Sequence, residues 1–261
     1  MSAEANSLEA GLVALGLTAP AQAIDRLVRY LDLLEKWNAT YNLTSVRDRR
    51  SWVSVHLLDS LAATPYVVGD RIVDVGTGAG LPGIPLAICR PEWKVLMIDS
   101  VQKKTAFIAQ VIAELGLSNA TVRHGRVEDI RLDVLANTAI SRAFSDLGKF
   151  VRLVHPLVRA DGEILAMKGS HPAAELPRVP GDYELVSMPR IHVPGLDADR
   201  HQLAVVVGLA GADRDHFTHR RLFRGRIGDD DPASRFALFL EPLDDHAVMQ
   251  GTKLHSRHSL L

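Results

Sequence analysis

Residues 71–83 have the sequence Arg-Ile-Val-Asp-Val-Gly-Thr-Gly-Ala-Gly-Leu-Pro-Gly. The short apolar run and the glycines that follow it at alternate positions predict a buried strand that turns tightly into a helix. Glycine tolerates positive φ and lets a ligand lie directly against the backbone. We therefore expect Gly76, Gly78 and Gly80 to form a ligand-binding loop at the end of this strand.

A carboxylate follows the glycine turn at a spacing typical of nucleotide-binding folds. The apolar run 94–98 predicts a second buried strand, and it leads into Asp99, which is placed to accept hydrogen bonds from ribose hydroxyls. Asp74, just before the turn, would put negative charge beside the pocket, which suits a cationic sulfonium and repels phosphate. A carboxylate followed by G-x-G-x-G resembles the first motif of class I S-adenosylmethionine (SAM) methyltransferases. The dinucleotide fingerprint is also met, so an NAD-linked dehydrogenase stays open as an alternative.

The composition of the chain restricts its partners and its compartment. The 261 residues carry a net charge of −1, so any contact with RNA must come from local basic patches. The single cysteine, Cys89, excludes an internal disulfide and a cysteine-based zinc site. No apolar run approaches the length of a membrane span. We expect a cytoplasmic protein that uses no metal and no membrane, and we assume a monomer.

Apolar runs and helical patterns alternate along the middle of the chain, which predicts an α/β fold with a mainly parallel sheet covered on both faces. Residues 1–69 are expected to form a helical N-terminal cap, and residues 70–210 to form the ligand-binding domain. Residues 211–261 differ in composition, and we expect a poorly ordered tail there, with a basic RNA-contacting arm as the alternative. The predicted strands lie near 71–75, 94–98, 120–123, 137–142, 162–168, 183–193 and 201–208.

The N-terminal third carries further signals. A helix is predicted over residues 21–37, followed by a loop over 37–45 and a second helix from about residue 48 to 63. Arginines precede and open the second helix, and they offer one candidate RNA patch, with simple surface charge as the alternative; they are Arg47, Arg49 and Arg50.

Four stretches make up a recognisable set. They are Trp37-Asn-Ala-Thr-Tyr-Asn-Leu-Thr-Ser45, His56-Leu-Leu-Asp-Ser60, Asp74-Val-Gly-Thr-Gly-Ala-Gly-Leu-Pro-Gly-Ile-Pro85 and Ile140-Ser-Arg-Ala-Phe144. Over roughly residues 20–208 the sequence resembles the bacterial ribosomal RNA small-subunit methyltransferase G family, also called glucose-inhibited division protein B. The resemblance implies a Rossmann-like, seven-strand class I fold that uses SAM to methylate N7 of the guanine at position 527 of 16S rRNA. It also implies 16S rRNA or the small ribosomal subunit as the partner.

The resemblance further implies a set of cofactor contacts, with Asp99 at the ribose-binding position. Together with the glycines of the turn, the predicted cofactor-binding residues are Gly76, Gly78, Gly80, Leu81, Asp99, Val127, Glu128 and Arg142. For Glu128, the alternative is that it simply caps the turn at residues 127–130. The tail departs from the family pattern, so the resemblance does not cover residues 211–261.

The tip of the fourth strand bears on the chemistry. Residues 141–144 are Ser-Arg-Ala-Phe, whereas methylation of an exocyclic amine typically uses an Asn/Asp-Pro-Pro-aromatic motif at this point. Methylation of pyrimidine carbon 5 needs a cysteine nucleophile, and Cys89 is expected to pack inside a helix. A substrate atom with a free lone pair, such as guanine N7, remains, so catalysis depends on alignment and we assign no general base.

Arg142 is the predicted positioning residue, because a guanidinium can bind both the SAM carboxylate and the incoming guanine. The alternative is an ion pair from Arg142 to Asp146 or Glu128. Candidates for contact with the substrate are His56, Phe144, Lys168, Arg200 and His201.

Each substrate candidate also has a structural alternative. His56 shares a helix face with Asp59, so it either lines the pocket or is a buried histidine with its hydrogen bonds satisfied. Phe144 either stacks on an extruded base or belongs to the core. Lys168, with Arg200 and His201, either meets phosphate or is solvated at the surface. Two other functions stay open: a SAM methyltransferase that acts on a small molecule or protein, and a non-catalytic SAM-responsive RNA-binding or ribosome-assembly protein.

Overall fold

The centre of the fold is a sheet built from the apolar runs of the sequence. A computed structural model describes residues 2–142, 144–169 and 173–196, and the backbone of residues 200–207. The strands within these ranges are β1 (Arg71–Val75), β2 (Lys94–Asp99), β3 (Ala120–His124), β4 (Ala136–Ser141), β5 (Val158–Lys168), β6 (Tyr183–Ser187), β7 (Arg190–Ile191) and β8 (Arg200–Val207).

The order of the strands across the sheet is β3-β2-β1-β4-β5-β8-β6, with β1 to β5 parallel. Strand β8 runs antiparallel to β5 and β6, and the short β7 pairs with β8 off this path. The predicted Rossmann-like α/β class is confirmed, and the predicted run 183–193 is divided into β6 and β7. Because the chain order reverses between β1 and β4, a crevice opens at the carboxyl ends of these strands.

Helices cover both faces of the sheet. They are α1 (Ala3–Ala14), α2 (Ala23–Tyr41), α3 (Asp59–Leu61), α4 (Gly83–Cys89), α5 (Gln102–Leu115) and α6 (Leu147–Val154). One buried cluster joins α1, α2, α4 and α5 to the face of β1 that carries Ile72. A second cluster joins α6 to the opposite face, which carries Val73, as the two-residue period of a strand requires. None of the helices that the structure describes combines the length and hydropathy needed to cross a membrane.

Helix α2 is longer than the sequence predicts, since it continues to Tyr41 where a loop was expected from residue 37. The extra turn is stabilised by aromatic packing: the Trp37 ring lies 5.1 Å from Tyr41 and 5.6 Å from Phe107 of α5. The helix ends at Asn42, whose φ of 50° places it in the left-handed region. The predicted domain boundaries near residues 69 and 210 stay predictions, and the tail 211–261 lies outside the described residues.

The second predicted helix is present as a helical segment over residues 49–61, made of three different helical geometries. A 3-10 turn (Arg49–Ser51) and a π-helix (Val53–Leu58) lead into α3 (Asp59–Leu61). The π-helix is rare in proteins, and many of the known examples lie at functional sites. This segment packs against α1 and reaches the tip of β4, so it connects the N-terminal helices to the crevice.

Arg49 ties the start of this segment to the N-terminal helices instead of facing RNA. Its Nε and Nη2 donate to the Glu4 carboxylate at 2.8 and 3.0 Å, and Nη2 also donates to Asp32 Oδ1 at 2.8 Å. The side chain of its neighbour Arg50 is 90% exposed and forms an ion pair with Asp48. Arg49 is therefore occupied by contacts within the protein, and the candidate RNA patch keeps only Arg47 and Arg50.

The contrast between the two arginines gives a stability prediction. Arg49→Met should lower the free energy of unfolding by about 1–3 kcal/mol, because it leaves the partly buried carboxylate of Glu4 without its partner. Arg50→Met removes a solvent-exposed ion pair and should leave the free energy of unfolding essentially unchanged. Urea denaturation of both variants measures the difference, and equal effects would contradict the assignment of Arg49 to the fold.

Candidate functional site

The glycine turn after β1 adopts backbone conformations that favour glycine. Gly76, Gly78 and Gly80 have φ values of 68°, 63° and 87°. A Cβ added at Gly76 or Gly78 would meet nothing within 4 Å, so open space lies in front of this backbone. A Cβ at Gly80 would lie 2.6 Å from the side chain of Ile84. The first two glycines therefore face space that a ligand can use, and the third permits close packing of α4.

Asp99 fixes the glycine turn to the end of β2. Its side chain is 6% exposed, Oδ2 accepts from the backbone N–H of Gly78 at 2.9 Å, and Oδ1 accepts from that of Val101 at 2.9 Å. Lys104 Nζ lies 3.7 Å from Oδ2. A carboxylate oxygen accepts more than one hydrogen bond, so both oxygens can also accept from a pair of ribose hydroxyls.

A cavity of about 420 Å³ opens at this strand end. Its lining includes Gly76, Asp99, Val127 and Glu128 from the predicted cofactor set. Gly78, Gly80 and Leu81 do not line it, and Leu81 is buried among core side chains. The remaining lining residues, most of which sequence reasoning missed, are Val75, Ile98, Ser100, Val101, Lys104, Gly125, Arg126, Ser141, Phe144, Lys149 and Leu153.

Asp74 lies beneath the turn and not beside the cavity, which corrects the expectation of negative charge facing the ligand. Its carboxylate is fully buried, and Oδ2 accepts from Thr77 Oγ1 at 2.6 Å and from the backbone N–H of Gly83 at 2.8 Å. Burial raises the pKa of Asp74 to about 7. Because Gly83 is the first residue of α4, the Asp74 side chain links the turn to the start of this helix.

Tyr30 supports the same turn from the N-terminal helices. Its side chain is fully buried on α2, and Oη donates a hydrogen bond to the carbonyl oxygen of Ala79 at 2.8 Å. The ring also lies 6.2 Å from that of Phe107. The N-terminal cap thus contacts the ligand loop directly, a contact that no motif in the sequence signals.

A second cavity, of about 270 Å³, lies at the carboxyl ends of β4 and β5. It is lined by Arg142, Phe144, Ser145, Met167, Lys168, Gly169 and Glu175. Phe144 lines both cavities, so the two adjoin there. The structure thus brings three predicted residues together in one place: Arg142, Phe144 and Lys168.

Arg142 pairs with the helical segment 49–61. Its Nη1 donates to the carbonyl oxygen of Val55 at 2.9 Å and to Asp59 Oδ2 at 3.2 Å. The alternative pairing with Asp146 or Glu128 is therefore wrong. Asp146 instead accepts from the backbone N–H of Lys149 at the start of α6. Held this way, the guanidinium lines the second cavity from one side.

His56 lines neither cavity. It is 2% exposed, with Nε2 at 3.1 Å from Thr44 Oγ1 and its ring 5.5 Å from that of Trp52. Nδ1 is buried with no hydrogen-bond partner among the described residues, so the histidine is only half satisfied. Burial, helped by the charge of Arg142, lowers the pKa of His56 to about 4. The ring is therefore neutral near pH 7. Its contact with Thr44 connects the helical segment 49–61 to the preceding loop.

Lys168 is largely buried and paired within the protein, unlike a solvated surface lysine. Its Nζ donates to the carbonyl oxygen of Phe144 at 2.8 Å and to Glu175 Oε2 at 2.7 Å. The Phe144 ring packs 5.0 Å from that of Phe150 and borders both cavities, so it touches the core and the site. Arg200 and His201 lie in β8, where His201 is the backbone partner of Lys168, and their side chains are outside the described residues.

The structure also shows where the single cysteine lies and how the metal-binding residue types are arranged. Within the part of the chain that the structure describes, no group of His, Cys, Asp and Glu side chains is arranged to hold a metal ion. Cys89 is buried in α4, and burial raises the pKa of its thiol to about 12. A buried, protonated thiol is a poor nucleophile, so Cys89 has the expected packing role.

Comparisons with known proteins point to one family. A family model described as rRNA small subunit methyltransferase G matches residues 23–204. The ribosomal RNA small subunit methyltransferase G of Neisseria meningitidis serogroup C (strain 053442) is 48% identical over 195 residues, which are 74% of this chain and 94% of that protein. The protein of that name from Laribacter hongkongensis (strain HLHK9) is 47% identical over 194 residues, with the same shares. That from Marinomonas sp. (strain MWYL1) is 44% identical over 200 residues, which are 77% of this chain and 96% of that protein.

The buried carboxylate gives a prediction about pH. Because the pKa of Asp74 is raised from 3.8 to about 7 in the folded state, the folded state binds a proton that the unfolded state releases between these values. The free energy of unfolding should therefore fall as pH rises from about 4 to about 7. Asp74→Asn keeps an acceptor for Thr77 and Gly83 but cannot ionise, so its curve should lose that slope.

The measurement is urea denaturation at several pH values between 4 and 8. The gap between wild type and Asp74→Asn should change by about 1–3 kcal/mol over this range in favour of the variant at high pH. Asp133→Asn, at an exposed position, is the control and should run parallel to wild type. Parallel curves for Asp74→Asn would show that this carboxyl group does not titrate in that window.

Proposed function

We propose that this chain, which belongs to the rRNA small subunit methyltransferase G family, transfers a methyl group from SAM to N7 of the guanine at position 527 of 16S ribosomal RNA. The observation that carries the proposal is the pair of adjoining cavities at the carboxyl ends of β1, β4 and β5. One cavity has an acidic residue at the ribose position, and the other has room for a single base.

The residues of the larger cavity fit SAM, which is the cofactor. Asp99 offers both carboxylate oxygens to the ribose hydroxyls, and the open backbone at Gly76 lets the ligand approach closely. Val127 and Glu128 form the 3-10 turn at the far wall, where Glu128 can accept from the adenine amine. When bound, SAM supplies a methyl group on a positively charged sulfur.

The smaller cavity suits an acceptor atom that carries no proton. Its acid and base groups are already paired, Lys168 with Glu175 and Arg142 with Asp59. His56 lines neither cavity and is neutral near pH 7. Guanine N7 has a free lone pair, so no base has to remove a proton. The protein then contributes alignment of N7 with the methyl group and exclusion of water.

A guanine inside a base-paired stem could not present its N7 to this site. In A-form RNA it faces a deep, narrow groove that side chains cannot enter. The cavity is lined partly by Phe144, which can stack on an extruded base. An unpaired or flipped guanine in 16S rRNA is therefore the substrate that the cavity favours.

The proposed function is tested by tritium transfer from labelled SAM. Purified 16S rRNA and assembled small subunits are both incubated with the protein, and the labelled nucleotide is mapped by nuclease digestion and mass spectrometry. One 7-methylguanosine at position 527 is the expected product. Label found on protein or on a small molecule would identify a different substrate. Binding of SAM, measured by calorimetry, without any methyl transfer would support a non-catalytic role.

Arg142 gives a more specific prediction. Arg142→Lys keeps the positive charge but loses the planar fork, so the single-turnover methylation rate should fall by about tenfold or more. Because Arg142 also bonds to Val55 and Asp59, the melting temperature of the variant must be measured in parallel. Arg159→Lys, in an exposed ion pair with Asp161, is the control. A normal rate for Arg142→Lys would remove Arg142 from the positioning role.

A further inference from the structure

The ion pair between Lys168 and Glu175 lies in the wall of the smaller cavity. Lys168 ends β5, and Glu175 precedes the 3-10 turn Leu176–Arg178. The two groups are 2.7 Å apart, with side-chain exposures of 11% and 23%. A well-formed ion pair that is largely removed from water has a fixed geometry, so it can act as a template for a polar ligand.

We propose that this pair recognises the edge of the target guanine that carries O6, N1–H and the 2-amino group. Lys168 donates to O6, and Glu175 accepts from N1–H and the 2-amino group. The inference rests on the proposed function, because it assumes that the base enters this cavity. It adds the two residues that select guanine from the other bases.

The hydrogen-bonding capacity of the pair supports this arrangement. Both described hydrogen bonds of Glu175 end on Oε2, one from Lys168 Nζ and one from the backbone N–H of Leu147 at 2.9 Å. Oε1 is therefore the oxygen that a ligand can use. The ammonium group has three donors, and two are directed to Phe144 and Glu175. One N–H and one carboxylate oxygen are left side by side.

The requirement that N7 faces the methyl donor fixes the order of contacts. In guanine O6 is the group next to N7, so it must meet the side of the pair that is nearer to the cofactor cavity. Lys168 bonds directly to Phe144, the residue shared by both cavities. Adenine has an amino donor at that ring position, and two facing donors would repel. With the ammonium group of Lys168 nearer to the cofactor cavity than the carboxylate of Glu175, the pair therefore favours guanine over adenine.

A purely structural role for Glu175 is the competing explanation, because it accepts from Leu147 N–H at the first turn of α6 and pairs with Lys168. Such a role would affect all substrates equally. A role in recognition would depend on which groups the base carries. The two explanations therefore differ in discrimination between bases, and not in overall activity.

The test compares guanosine with inosine at the target position of ligated 16S rRNA. Inosine keeps N7, O6 and N1–H and lacks only the 2-amino donor. For the wild-type protein, kcat/KM with inosine should be about tenfold or more below that with guanosine, because the charged acceptor loses one of its two donors. Glu175→Gln should reduce this ratio to roughly twofold to threefold, since a neutral acceptor gains less from the 2-amino group.

Glu128→Gln is the matched control, because it makes the same Glu-to-Gln change at a residue of the cofactor cavity. It should raise KM for SAM and leave the guanosine-to-inosine ratio at the wild-type value. An unchanged ratio in a folded Glu175→Gln would overturn the inference while the methylation of guanine stands. A wild-type ratio near one would also overturn it, without need of any variant. Absence of methylation on either RNA, despite SAM binding, would remove the proposed function and the inference together.

Discussion

The hydrogen bond from the backbone N–H of Gly78 to Asp99 Oδ2 is the contact on which the candidate site depends. The turn is also bonded to the end of β2 through the N–H groups of Gly76 and Thr77, which both donate to the carbonyl oxygen of Ile98. These bonds follow from the parallel register of β1 and β2, in which Val75 lies opposite Ile98. Pairing therefore sets the turn, and the turn sets the position of the cofactor cavity.

The buried carboxylate of Asp74 beneath the turn lowers the stability of the fold when it is ionised. Asp74 is fully buried, and its Oδ1 has no hydrogen-bond partner among the described residues. Such a group destabilises the folded state when it is ionised. In return, Oδ2 fixes Thr77 and the first residue of α4 at the same time. Together with Tyr30, which bonds to Ala79, it makes the turn rigid before any ligand binds.

Local patterns predicted the elements well, because strands and helices follow from periodicity and caps. The strand over residues 71–75 occurs with the predicted bounds. The sequence did not predict where side chains point: Asp74 was expected to face the cavity, and the only protein partners considered for Arg142, as the alternative to a positioning role, were Asp146 and Glu128. Its actual partner, Asp59, lies 83 residues away in the sequence. Such pairings depend on how the N-terminal segment crosses the sheet, which no local pattern encodes.

Pairing of the cations also bears on how the smaller cavity can work beside a sulfonium. A cavity lined by unpaired Arg142 and Lys168 would repel the positively charged methyl donor next to it. Asp59 and Glu175 each neutralise one of these cations, and the paired groups still present directional donors to a base. The cavity can thus orient a neutral ring by hydrogen bonds without raising the positive potential at the methyl group. Recognition and methyl transfer therefore place compatible demands on the same few side chains.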